Sequence, residues 1–158
     1  MLTDELNRAF NRTYEMYADM LYRIAVSMLR SADDAEDAVQ NVFIRYLDKT
    51  PSFHDSDHER AWFIRVTINQ CKDLMRRRKM RAWLPFEALT DVGVRPKSTP
   101  ALDAVSELPE KYKAIVILYH LEGLSVDEIA ESLSLSASAV KMRLSRARDM
   151  MRDIITKS

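Results

Sequence analysis

The chain of 158 residues holds two glycines, Gly93 and Gly123, and its first proline is Pro51. Tight β-hairpins need Gly, Asn-Gly or Asp-Gly where φ turns positive, and strands are separated by such punctuation. A first third without any of it excludes a β-meander, sandwich or barrel and points to an all-α fold. Apolar residues make up 47% and charged residues 30%, which supplies enough core to exclude a disordered chain. The longest apolar run, residues 114–119, is six long, whereas a membrane span needs roughly 20. No transmembrane helix is therefore expected. Asp4 and Glu5, with no apolar stretch beside them, do not read as a secretory leader. The lone Cys71 can form neither an internal disulfide nor a Cys-based zinc site, as suits a reducing compartment, so a cytoplasmic protein is expected.

The same punctuation divides the chain. Residues 1–82 carry 14 basic and 13 acidic side chains with one proline, and read as a first helical domain. Residues 83–107 collect Pro85, Pro96, Pro100 and Gly93, and read as an extended, flexible linker. Fully extended, such a stretch reaches about 80 Å. Residues 108–158 open on Leu108-Pro109-Glu110, a helix start with proline in its first turn, and form a second small domain. Lobes this small need dense helix packing and have little room for a deep enzyme pocket.

In the first domain, Leu6, Phe10, Tyr14, Tyr17, Leu21, Ile24 and Met28 recur at steps of three and four, which predicts one long amphipathic helix ending near Arg30. Ser31 to Asp34 supply capping side chains for a second helix, with Ala35, Val39, Val42, Phe43, Tyr46 and Leu47 inward. Residues 50–57 read as a turn, and a third helix is expected over residues 58–81. At ~100° per residue its apolar side is Phe63, Ile64, Ile68, Cys71, Leu74 and Met75; Trp62, Arg65, Asn69, Lys72 and Arg76 share the other.

In the second domain, an apolar helix over residues 112–121 should stop at Gly123. Ser125 and Glu128 stand at capping-box spacing, opening a short helix with Ile129, Ala130 and Leu133 inward. A turn at residues 134–136 leads to a last helix with Val140, Leu144, Ala147 and Met151 inward and Lys141, Arg143, Arg146 and Arg148 outward. Two short helices across a tight turn, the second one basic, form a helix-turn-helix pattern suited to the DNA major groove.

Several constellations admit two readings. Arg76, Arg77, Arg78, Lys79 and Arg81 end the third helix, where cations oppose its dipole but where phosphate binding better explains so many. Trp62 is either half-buried packing or a ring that stacks on an unpaired base, with Asn69 hydrogen-bonding beside it. Asp33, Asp34, Glu36 and Asp37 either complement a helix N-terminus or form a protein-binding face. His54 and His58, four apart, lie in turn-like sequence without a convincing further ligand, so no metal site is expected. No nucleophile, ligand set or phosphate loop accompanies the carboxylates, so neither catalysis nor a cofactor is expected.

Asp34-Ala35-Glu36-Asp37-Ala38-Val39-Gln40 with Phe43 resembles the DAEDxVQxxF signature of bacterial sigma factors of the extracytoplasmic-function (ECF) class of the sigma-70 family. Trp62, Asn69, Asp73 and Arg76-Arg77-Arg78 resemble that class's third-helix motif. Leu108-Pro109, Leu124-Ser125, Glu128-Ile129-Ala130, Leu133, Val140-Lys141, Arg143-Leu144 and Arg146-Ala147-Arg148 resemble its C-terminal block. The three blocks stand in the family's order over about residues 10–155.

The resemblance implies a region 2-like domain (1–82), a linker (83–107) and a region 4-like helix-turn-helix domain (108–158). Such a protein binds core RNA polymerase and promoter DNA, helps open the duplex, and is commonly controlled by an anti-sigma factor; it is expected to be monomeric when free. By motif, Asp34, Asp37, Gln40 and Asn41 would face polymerase. Phe53, Trp62, Arg65, Asn69, Lys72, Arg76, Arg77 and Arg78 would meet the −10 element, with residues 50–57 helping to hold a flipped base. Ser136, Ser138, Lys141, Met142, Arg143, Ser145, Arg146 and Arg148 would meet the −35 element. Asn41 and Val42 depart from the usual Glu and Thr, and Ala139 and Met142 replace hydroxyl residues, so neither contact strength nor the −35 sequence transfers from relatives. The alternative is a dimeric helix-turn-helix regulator that acts without being a polymerase subunit.

Overall fold

A computed structural model describes residues 2–81 and 99–157, all of whose regular structure is helical. Residues 82–98, most of the expected linker, lie outside the described residues. The elements are α1 (Leu2–Leu29), α2 (Ala32–Lys49), α3 (Ser56–Arg81), α4 (Pro100–Ser106), α5 (Glu110–Val116) running into a π-helical turn (Ile117–Leu121), α6 (Val126–Leu133) and α7 (Ala137–Lys157).

Local chemistry sets the boundaries. Arg30 turns left-handed (φ 55°) after α1, and Ser31 caps α2, its Oγ accepting from the Asp34 amide at 3.2 Å. Thr50 (φ 40°) ends α2 with its amide on the Tyr46 carbonyl at 3.0 Å. α3 begins at Ser56, two residues before the expected start, because the Asp55 carboxylate accepts from the His58 amide at 2.8 Å. The π turn closes when Glu122 donates to Ile117 and Leu124 to Leu118, both at 3.0 Å, with Gly123 at φ +71°. At Gly123 a Cβ would meet no atom within 4 Å, so the backbone angle alone is what asks for glycine.

α1, α2 and α3 pack around Leu21, Ile24, Val42, Phe63, Ile64 and Ile68, each at most 1% exposed, with Phe43 and Tyr17 close beside them. Rings continue that core: Tyr17 stacks on Phe63 at 4.6 Å, and Phe43 lies 5.5 Å from it. The second lobe closes on Ile115, Ile117, Leu118, Ile129, Val140 and Ala147.

Two expectations need correcting. Leu6, Tyr14 and Leu47, assigned inward by periodicity, are 62%, 46% and 53% exposed; Tyr14 packs one side of its ring on Phe43 of α2 at 4.8 Å and leaves the rest open, while among the described residues no helix covers Leu6 or Leu47. Pro100, expected in extended linker, instead stands at the start of α4, where its missing amide is no loss and the Thr99 Oγ accepts from the Leu102 amide at 3.2 Å. Seven helical residues in place of seven extended ones shorten the expected reach by about 13 Å. The two lobes, whose mutual orientation the sequence leaves open, touch: α3 packs on α6, and α1 meets both the π turn and α4.

Candidate polymerase and nucleic-acid surfaces

The outward face of α2 carries Asp33, Glu36, Asp37, Gln40, Asn41, Ile44 and Leu47, all exposed. Their three- and four-residue spacing makes one stripe, acidic at the N-terminal end and apolar toward the C-terminal end, where Ile44 and Leu47 are each 53% exposed. Asp37, Gln40 and Asn41 are thus together and free to meet a partner. Asp34 is not with them. Its carboxylate pairs with Arg78, whose Nε donates to Asp34 Oδ2 at 3.0 Å and whose Nη1 donates to the Leu29 carbonyl at 2.6 Å. Arg78, expected on DNA, therefore ties the end of α1 and the start of α2 to α3. Sequence periodicity missed this because the partners lie 44 and 49 residues away.

On α3, Trp62 is half-buried, with ring centroids 5.9 Å from Phe53, 6.2 Å from Tyr46 and 5.0 Å from Phe63. The packing reading of this tryptophan is met on one side of the ring, and the remainder is open. Residues 50–57 are built around Phe53, whose ring meets His58 edge-on at 5.3 Å. His54 stacks on His58 at 4.8 Å, and the His54 amide donates to His58 Nδ1 at 3.1 Å. The histidine pair thus shapes the loop, and among the described residues no cluster of three His, Cys, Asp or Glu could hold a metal.

Asn69, Arg76 and Arg77 are exposed and Lys72 is half-buried, which places them along one side of α3 beyond Trp62. Arg76 also pairs with Asp73 at 3.2 Å one turn earlier. The Arg81 side chain lies outside the described residues. Arg65 belongs to the same row by spacing but turns to the second lobe. Its Nε and Nη2 donate to the carbonyls of Ser132 and Glu131 at 3.0 and 2.9 Å.

The helix-turn-helix is closed by local bonds. The Glu128 amide donates to Ser125 Oγ at 3.1 Å and the Ser125 amide to Glu128 Oε1 at 3.0 Å, a complete capping box. These bonds and the neighbouring Arg60 hold the Glu128 carboxyl below its ordinary pKa. Ser134 turns left-handed (φ 56°), and Ser136 caps α7 by accepting from the Ala139 amide at 3.1 Å. Val140, Leu144 and Ala147 are buried beneath, which leaves Ser138, Lys141, Met142 and Ser145 as one exposed face at the start of α7. That face is polar, cationic at Lys141, and 51% exposed at Met142, so it can enter a groove without uncovering core.

The remaining expected contacts flank that face. Arg143 is half-buried, and Arg146 hydrogen-bonds the Tyr112 hydroxyl, which lowers the pKa of that hydroxyl. Arg148 borders an apolar groove of about 760 Å³ between α4, α5 and α7, with Leu102, Val105, Leu121, Met151 and Ile155 in its walls. No sequence signal exposed this groove, because it exists only once residues 100–106 fold as a helix.

Residues 13–81 match the family model for sigma-70 region 2, and residues 99–151 match that for sigma-70 region 4. The chain is 31% identical to the RNA polymerase sigma factor SigV of Bacillus subtilis, over 86% of this chain and 84% of that protein. It is 28% identical to the ECF RNA polymerase sigma factor SigW of the same organism, over 91% and 87%. Its fold is similar, with a TM-score of 0.72, to the sigma factor RpoE of Bartonella quintana solved in complex with the anti-sigma factor NepR. That likeness covers 94% of this chain and 98% of RpoE at 21% identity. Among the described residues no helix is long and apolar enough to cross a membrane.

Proposed function

Since the chain belongs to the ECF class of the sigma-70 family, we propose that it binds core RNA polymerase and directs it to promoters with two surfaces borne on separate lobes. The region 2-like lobe (1–82) offers the α2 stripe of Asp37, Gln40 and Asn41 to polymerase. It offers the side of α3 with Trp62, Asn69, Lys72, Arg76 and Arg77, together with Phe53, to the −10 strand. The region 4-like lobe docks the face of Ser138, Lys141, Met142 and Ser145 in the −35 major groove, with Ser136, Arg143, Arg146 and Arg148 at its margins. Residues 83–107 connect the two, with α4 belonging to the second lobe. Asp34 and Arg78 leave these surfaces and act as an internal tie.

The observation that carries this reading is the neighbourhood of Asn69 and Trp62. An exposed amide stands two turns from a partly open indole that Phe53 and Tyr46 hold edge-on. A base drawn from a melting duplex can stack and hydrogen-bond there, and extraction costs a few kcal/mol, within reach of such contacts without ATP. The protein acts by recognition, works in the cytoplasm without metal or cofactor, and is monomeric when free. An anti-sigma factor would control it by covering these surfaces.

In vitro transcription with purified core polymerase on fragmented host DNA tests the reading. New start sites and a stable complex with core are expected, and the absence of both refutes it. Asn69→Ala should impair promoter opening while leaving core binding intact; loss of core binding would show that this side of α3 has been misassigned.

A further inference from the structure

The short helix α4, capped by Thr99 and opened by Pro100, packs on α5 and α7 and leaves the groove of about 760 Å³ between them. Val116 and Leu144 are buried and form its floor, while Leu121 and Ile155 beside them are 48% and 51% exposed. Apolar surface gathered in one concave place is costly to leave in water and marks a site where something apolar binds. The volume lies within the roughly 300 to 1,000 Å³ of small-molecule sites.

The charged groups of the groove have one sign. Among the described residues that line it there is neither Asp nor Glu, but there are Arg148, Arg152 and His120. At about 100° per residue, Leu144, Met151 and Ile155 make the apolar stripe that α7 turns to the groove, and Arg148, Arg152 and Thr156 follow one another along a single margin of that stripe. Both guanidiniums are available. Arg152 reaches Asp149 only at 3.9 Å, with both side chains 70% exposed. Arg148 is exposed and has no hydrogen bond or ion pair among the described residues. Two guanidiniums one helical turn apart can share the two oxygens of one carboxylate.

We propose that this groove binds a free long-chain acyl carboxylate, with the hydrocarbon chain lying along Leu102, Leu121, Met151 and Ile155 and the carboxylate held between Arg148 and Arg152. The guanidiniums stand along one margin only, which fits a ligand with a single anionic end. A bilayer cannot reach a floor sunk between three helices, so the ligand is the free acid and not a membrane lipid.

Binding of dansylaminoundecanoate to the full chain, followed by its fluorescence, tests the site. Octanoate, decanoate and dodecanoate should displace the probe with rising strength, by up to about fourfold per added methylene. Dodecanol, which lacks the charge, should compete at least about tenfold less well than dodecanoate. Arg148→Gln with Arg152→Gln should remove that difference and leave dodecanol unchanged. Ala101→Trp, which fills the groove from an exposed position on α4, should abolish probe binding. If far-UV circular dichroism shows it to be unfolded, Thr156→Trp fills the same groove from α7 and must do the same. Phosphatidylglycerol vesicles and a helical peptide of Glu and Leu should each displace the probe less well than dodecanoate. Absence of saturable probe binding, equal competition by dodecanoate and dodecanol, binding that survives in a folded Trp variant, or stronger displacement by the vesicles or the peptide overturns the proposal. None of these readouts uses polymerase or promoter DNA, so the site and the function proposed above stand or fall separately.

Discussion

Replacing Arg78 distinguishes a structural tie from a DNA contact within one residue. In Arg78→Ala the Leu29 carbonyl loses its 2.6 Å donor and Asp34 loses its ionic partner. Charge-assisted hydrogen bonds contribute about 1.5 to 3 kcal/mol when buried, and exposed pairs about 0 to 1 kcal/mol. The Arg78 and Asp34 side chains are 36% and 30% exposed, between those limits. Assigning about 1 kcal/mol to each partner gives a loss of about 2 kcal/mol. An unfolding entropy of about 2.1 cal/mol/K per residue converts this to about 6 °C if the chain melts as one unit, and about 12 °C if the first lobe melts alone. The assay is thermal unfolding followed by circular dichroism at 222 nm. Arg78→Lys should recover less than half of the loss, because a point charge cannot serve two acceptors on different helices as a guanidinium fork does. A melting shift below about 1 °C, together with weaker and less salt-dependent promoter binding, would refute the tie and return Arg78 to the DNA surface.

Ser125→Ala should lower the melting temperature by about 3 °C, the effect of losing about 1 kcal/mol of capping, and an unchanged melt would mean that the capping box does not hold α6. Lys113→Met should raise the melting temperature at neutral pH by removing a desolvated ammonium. Because burial lowers the folded-state pKa below the ordinary lysine value, the wild-type penalty is full at neutral pH and fades as pH rises through that folded pKa. The advantage of methionine should therefore shrink in melts at alkaline pH, and a destabilised variant at neutral pH would contradict this account. Cys71 is fully buried and its thiol is pushed up to about 12, chiefly by burial, so iodoacetamide at about pH 8 should modify it only in denaturant. Rapid alkylation of the native protein would show that the α3 core opens locally.

Features determined within a few residues are legible in the sequence. The Ser125–Glu128 box, the Ser31 cap, the stop at Gly123 and the buried stripes of α3 and α7 all follow from spacings of three or four. The Thr99-Pro100 start of α4 carried a readable signal too, a capping hydroxyl followed by proline at the first position, but the surrounding prolines pointed to extended chain. Periodicity gives a face, not its neighbour, which is why Leu6 and Leu47 share the apolar stripes yet stand outside, and why Tyr14 is covered on one side only, by Phe43. Long arginine side chains are the least legible part of the candidate site. Arg65 and Arg78 lie among residues with similar patterns, and only tertiary packing sends one to α6, the other to α1 and α2, and leaves Arg76 and Arg77 in solvent.

Zero net charge conceals this sorting, since each lobe is itself within one charge of neutral: residues 1–82 hold 14 basic against 13 acidic side chains and residues 108–158 hold eight against seven. The near-balance cannot distinguish a uniformly mixed surface from one divided by face, but the bonds between lobes can. The first lobe places Arg23, Arg30, Arg60 and Arg65 against oxygens of the second. Asp103, Glu122 and Glu128 stand against three of these guanidiniums, so the positive field of the first lobe is offset where the lobes meet and is less opposed along the exposed side of α3 that carries Arg76 and Arg77. Attraction of a polyanion depends on that local field. A neutral chain can therefore offer a polyanion a locally positive side of α3 while its other arginines are spent inside the fold.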